Sequence, residues 1–204
     1  RVLEMIFFII QMRWIILNKP VFYDADCLEC FLFVDAGYIL EELFSKIVIP
    51  EQVYEEIMVE NTPTIVKTNF GKLKEGFVEI REIQFASQEY TNYNLIKKGF
   101  WSGTGKCCGS GESAAMALAH LNNGIVASNN LSDVEDYIGS LEIELITSSM
   151  ILSKAVEKDI VSEDGANELW DEMVKEGIDL PKDSFTDYFE ELYETDCDRF
   201  LKGE

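Results

Sequence analysis

The run Gly109-Ser110-Gly111-Glu112-Ser113-Ala114-Ala115-Met116-Ala117-Leu118-Ala119 constrains the fold of this chain more than any other stretch. Its two glycines admit a tight turn, and Ser110 or Ser113 can accept from the free N–H groups of a helix start. Ala114, Ala115, Ala117 and Ala119 give that helix thin sides, so it can lie close against a sheet. Glu112 then falls in the first turn, where the helix dipole favours negative charge. Alone it would be an ordinary acid at a helix start.

The rest of the chain supplies the sheet. Val21-Phe22-Tyr23 reads as a short buried strand ending at Asp24, followed by helical spacing from Leu28 to Phe44 that breaks at Gly37. Lys46 to Ile49 is a second strand, and Pro50 opens a helix with Val53, Ile57 and Met58 on its apolar side. Pro63 closes that unit. Phe77 to Ile83 alternates as a strand, Ser87 to Lys98 is a polar helix, and a glycine-rich turn leads to Gly111. After the alanine-rich helix, Asn122-Asn123-Gly124 turns the chain into the strand Ile125-Val126-Ala127, which ends on Ser128-Asn129-Asn130. Ser132 and Glu135 fit a capping box. Glu142 to Ile146 is a last strand, with helices over 149–158 and 163–175 behind it.

Strand and helix therefore alternate, which predicts an α/β fold: a three-layer α/β/α sandwich with a mostly parallel sheet. In such sheets ligands bind outside the carboxyl ends of the strands, where Asp24 and Asn130 fall. The expected division is an apolar extension over residues 1–17, a main domain over 18–180 and an acidic helical appendage over 181–204, striped by Phe185, Phe189, Leu192 and Phe200.

The 204 residues carry 38 acids against 17 bases, a formal charge of -21 that repels a bare polyanion. Five cysteines, an odd number, argue against a secreted disulfide framework and for a reducing cytosol. Cys27 and Cys30 lack the second pair that zinc needs, so they read as plain thiols, and His120 reads as structural. Val2 to Leu17 is apolar but interrupted by Glu4, Gln11 and Arg13, and falls short of the roughly 20 residues of a membrane span. It has no signal-type cleavage site, and Met12 is a candidate natural start. A cytoplasmic protein without a membrane anchor is the expectation.

Two phosphate-loop readings fail. Gly105-Lys106 lacks glycine at position 100 and Ser or Thr at 107, where Phe100 and Cys107 stand. The formal G-x-G-x-x-A at Gly109 follows no apolar strand, so it is not a dinucleotide fingerprint.

Taken together, the acidic motifs resemble the PIN-domain nucleases, a family that includes many toxins of bacterial toxin-antitoxin pairs. The resemblance covers roughly Val21 to Ile178. Asp24-Ala25-Asp26-Cys27-Leu28 looks like the opening D-x-x-x-L. Pro50 to Ile57 looks like the helix that supplies a second acid, here Glu56. Glu112, with Ala115 and Ala119 beyond it, looks like the third. The chain departs from the family where Thr-x-Asp is expected: Ser128-Asn129-Asn130 puts an amide at the fourth acid, and Asp133 lies one turn on as a substitute.

The resemblance implies a metal-dependent ribonuclease that hydrolyses RNA phosphodiesters with Mg²⁺ or Mn²⁺. Its metal ligands would be Asp24, Glu56 and Glu112, with Asp26, Asn130 and Asp133 as auxiliaries; hard cations prefer such oxygen donors. It also admits an antitoxin protein and a second copy of the chain as partners. The alternative is a catalytically lapsed PIN domain that binds protein or RNA. Between Lys67 and Lys106, seven cations face four acids, a local +3 interleaved with Phe70, Phe77, Tyr90, Tyr93, Phe100 and Trp101. Cations beside aromatic faces suit single-stranded nucleic acid, with Lys97, Lys98 and Lys106 as the contacts; an ordinary lysine-studded surface is the competing reading.

Overall fold

Five strands, each three or four residues long, pair in parallel in the order β3-β2-β1-β4-β5. They are β1 (Val21–Tyr23), β2 (Ile47–Pro50), β3 (Val78–Arg81), β4 (Ile125–Ala127) and β5 (Glu144–Ile146). The computed structural model describes residues 19–201, so the expected N-terminal extension lies outside the described residues. All pairings are parallel, with Phe22 opposite both Val48 and Val126. β1 is the centre of the sheet and is wholly buried, which is why it is uniformly apolar.

The helices between the strands are α1 (Ala25–Phe33), α2 (Gly37–Leu43), α3 (Glu51–Met58), α4 (Thr64–Phe70), α5 (Gln88–Lys97), α6 (Ser110–Leu121) and α7 (Leu131–Leu141). Behind β5 come α8 (Ser148–Glu157), α9 (Glu163–Lys175), α10 (Phe185–Glu191) and α11 (Tyr193–Phe200). The result is an α/β/α sandwich. Helix α6 runs across β1, β2 and β4, and its alanines at 114, 115, 117 and 119 are fully buried there. Its exit is equally tight: a Cβ on Gly124 would stand 2.6 Å from the Phe22 ring and 2.8 Å from the Pro20 carbonyl.

Five details differ from the sequence reading. Pro63 does not close a unit but caps α4, whose Asn69 side chain donates to the Leu32 carbonyl at 2.7 Å. Ser132 is not a cap: Asn130 holds the N-cap position of α7, and Ser132 lies inside the helix. Neither Ser110 nor Ser113 caps α6, because Glu112 itself turns back to accept from the Gly109 N–H at 3.0 Å. The acidic stretch after Pro181 forms two helices where one is expected. Phe185, Tyr188, Tyr193 and Phe200 are all buried, and Trp170 of α9 stacks on Tyr188 with ring centres 5.7 Å apart. Strand ends also shift: Glu142 takes a left-handed conformation (φ 54°) to stop α7, leaving β5 to start at Glu144.

Candidate active site

Three separate elements bring acids to the carboxyl edge of the sheet. Asp24 follows β1 directly; its backbone N–H donates to the Ala127 carbonyl, and its carboxylate caps α1 by accepting from Ala25 N–H at 2.8 Å. Glu56 projects from α3, and Glu112 from the first turn of α6. Together with Asp26, Asn130 and Asp133 they line one cavity of about 360 Å³. Gly111 forms part of its floor, and a Cβ there would stand 2.8 Å from both Asp24 Oδ1 and Glu56 Oε2. The glycine keeps that space open.

The Ser128-Asn129-Asn130 segment interlocks with these acids. Ser128 Oγ donates to Asp24 Oδ2 at 3.3 Å. Asn129 donates its backbone N–H to Asp26 at 3.1 Å and its Nδ2 to Cys30 Sγ, while its Oδ1 accepts from Ser148 N–H at 2.9 Å. Asn130 Nδ2 donates to Glu112 Oε1 at 2.5 Å and to Asp133 Oδ2 at 3.0 Å. Its neutral amide thus bridges two carboxylates that would otherwise repel.

Burial first, and neighbouring acids second, push the Asp24 carboxyl well above the ordinary carboxylate range. Burial raises Glu56 and Glu112 too, against the lowering effect of the Gly111 and Gly109 N–H groups respectively. Asp26 is also raised by burial, opposed by the Asn129 N–H. Asp133 goes the other way, because the Lys106 ammonium, 2.6 Å off, holds it low. Mutually repelling oxygen donors around an open space, with Asp24 and Glu112 buried and Glu56 exposed, are what a hard divalent cation relieves. Among the described residues, however, no three His, Cys, Asp or Glu side chains form a ready metal-ligand group. Glu112 and Asp133 are turned toward the Asn130 amide instead.

The three lysines part company. Lys97 reaches the rim of the acid cavity, donating to Ser110 Oγ at 2.7 Å beside the face of Tyr93, and it lowers Glu56 electrostatically. Lys98 instead lines a separate groove with Tyr90 and Phe100. Lys106 is bound to Asp133 and to the Ser132 carbonyl. Sequence reasoning takes Gly111 for a turn former and gives Ser128 no hydrogen-bonding role; the G-x-G spacing before Glu112 is the only signal for the first. His120 is structural, its Nδ1 2.6 Å from the Leu141 carbonyl and its ring edge-on to Trp101.

A family model described as PIN domain matches residues 20–194, and the chain belongs to that family. Its fold is therefore of the nuclease type. No curated protein and no solved structure matches the chain. Among the described residues no helix is long and apolar enough to cross a membrane.

Proposed function

We propose that this chain is a metal-dependent ribonuclease that hydrolyses RNA phosphodiester bonds. The observation that carries the reading is the meeting of Asp24, Glu56 and Glu112, from three separate elements, in one cavity whose floor is a glycine. Those three carboxylates would hold Mg²⁺ or Mn²⁺, with Asp26, Asn130 and Asp133 around them. When bound, the ion supplies an activated water and charge stabilisation at the phosphate. The chain's own residues do the rest. Lys97 offers a cation at the rim for a phosphate oxygen, and Ser128 and the Ala25 N–H fix the Asp24 carboxylate. Asn130 presents an amide donor where a fourth carboxylate would add repulsion. A toxin-type protein of this kind would work in the cytoplasm beside an antitoxin.

Asn130 also supports a second reading, a lapsed domain that binds RNA or protein without cutting it. Calorimetric titration of Mn²⁺ into the wild type and Glu112→Gln, paired with a single-stranded RNA cleavage assay, separates the two. Saturable binding and cleavage, both lost in Glu112→Gln, support the nuclease. No binding in either protein leaves the binding module.

A further inference from the structure

A second cavity, of about 350 Å³, shares Asn130 with the acid cavity but is otherwise a different chemical environment. Its apolar walls are Leu131, from the start of α7, and Leu180 and Pro181, from the segment linking α9 to α10. Thr147 and Ser149, at the start of α8, are buried neutral groups in its lining. The acids there are Asp179 and Asp196, and the described residues lining it include no cation. The two carboxylates count against a phosphate in this space. They do not count against a flat, partly apolar group that carries N–H donors.

We propose that this cavity is a nucleobase subsite, filled by the base beside the phosphate that lies in the acid cavity, and that it selects guanine. The proposal rests on RNA being the substrate. The adjacency follows from Asn130, which lines both spaces. The volume falls in the range of small-ligand pockets. The selectivity follows from donor counting, since an ionised carboxylate accepts and never donates. The Watson–Crick edge of guanine has two adjacent donors, N1–H and the 2-amino group, which match the two oxygens of one carboxylate. Uracil has a single N–H between two carbonyls, and those carbonyls would face carboxylate lone pairs. Unpaired bases are read on this edge in single-stranded RNA. Asp196 is held in place by the Tyr188 hydroxyl, 2.8 Å from its Oδ2. Asp179 is exposed and lies outside the helices, in the segment between α9 and α10.

The test uses nucleosides, which carry no phosphate and need no metal. Guanosine, inosine and uridine are titrated into the full chain in the presence of a chelator, with binding followed by saturation-transfer NMR. Guanosine is expected to bind, inosine about tenfold more weakly for want of the 2-amino group, and uridine not detectably. Asp179→Asn should weaken guanosine about tenfold at an unchanged melting temperature, and Asp196→Asn serves as a second variant. Equal binding of the three nucleosides, binding of none, or guanosine affinity untouched by both variants overturns the subsite. Because this readout is independent of cleavage, Asp179-dependent guanosine binding in a protein that cuts no RNA would sink the nuclease reading alone.

Discussion

Gly111→Ala separates the proposed metal site from the fold. The added methyl would stand 2.8 Å from Asp24 Oδ1, 2.8 Å from Glu56 Oε2 and 3.0 Å from Val53 Cγ2. Ordinary contact begins near 3.4 Å, so each carboxylate must withdraw by about 0.6 Å. Glu56 Oε2 is the far end of a long side chain and can move, but Asp24 Oδ1 is held by the Ala25 N–H, so the steric cost spans the roughly 1–3 kcal/mol of overpacking. Alanine in the first turn of α6 returns up to about 1 kcal/mol of helix propensity. The net loss is then between about 0 and 3 kcal/mol, or roughly 0 to 12 °C in melting temperature for a domain of this size. Metal geometry is far less forgiving, with a tolerance of about 0.2 Å in ligand distance. Mn²⁺ affinity by calorimetry should fall at least about tenfold while the melting curve stays cooperative. Gly139→Ala is the control, since its Cβ meets nothing within 4 Å. Wild-type Mn²⁺ affinity in folded Gly111→Ala would remove Asp24 and Glu56 from the ligand set.

Asp24→Asn keeps the α1 cap but removes a carboxyl whose folded pKa burial has raised. A raised acid gives its stability below the unfolded carboxylate range, near pH 4, and loses it as pH climbs through the folded value. The melting temperature of chelated wild type should therefore drop, relative to Asp24→Asn, as pH rises above about 4; parallel curves would contradict the raised pKa. Asn130→Asp replaces the amide donor to Glu112 with a like charge, costing the metal-free protein about 1–3 kcal/mol while tightening Mn²⁺ and speeding cleavage. Unchanged stability and binding would place residue 130 outside the site's electrostatics. Lys97→Ala should reduce the slope of log affinity against log salt for single-stranded RNA by about 0.7, the share of one phosphate contact. A filter-binding series with the wild-type slope would return Lys97 to plain surface. Trp170→Ala, at a fully buried ring, should cost about 3–5 kcal/mol in urea unfolding, and a loss below about 1 kcal/mol would mean the C-terminal helices are not cooperative with the sheet.

What sequence could reveal followed the physics of periodicity. β1 is legible because a buried parallel strand must be apolar throughout, and Asp24 stands out because an acid breaks that run. α6 is legible from its alanines. α4 is not, since Thr64-Ile65-Val66-Lys67-Thr68 is rich in β-branched residues and Pro63 signals an end as readily as a start. The break at Leu192 escapes notice because the aromatic stripe of α10 and α11 continues across it, Phe189 stacking on Tyr193 with ring centres 5.5 Å apart. Lys97 and Lys98 look alike in sequence, yet one residue of helical rotation sends one to the acids and the other to a different groove. Asp179 and Asp196 carry no local signal at all, since only the packing of α10 and α11 brings them to Asn130.

The Asn130 bridge bears on how such a protein survives scarcity. Buried Asp24 and Glu112, with Glu56 and Asp133 nearer solvent and nothing between them, would make the empty cavity a source of strain, and folding would then depend on the supply of cation. A neutral amide between Glu112 and Asp133 offsets part of that repulsion while the cavity stays open. An arriving ion must then compete with an internal ligand for Glu112. On the proposed reading, activity would track the free concentration of divalent metal, and the bound ion would add stability to a fold that the amide already helps to persist without it.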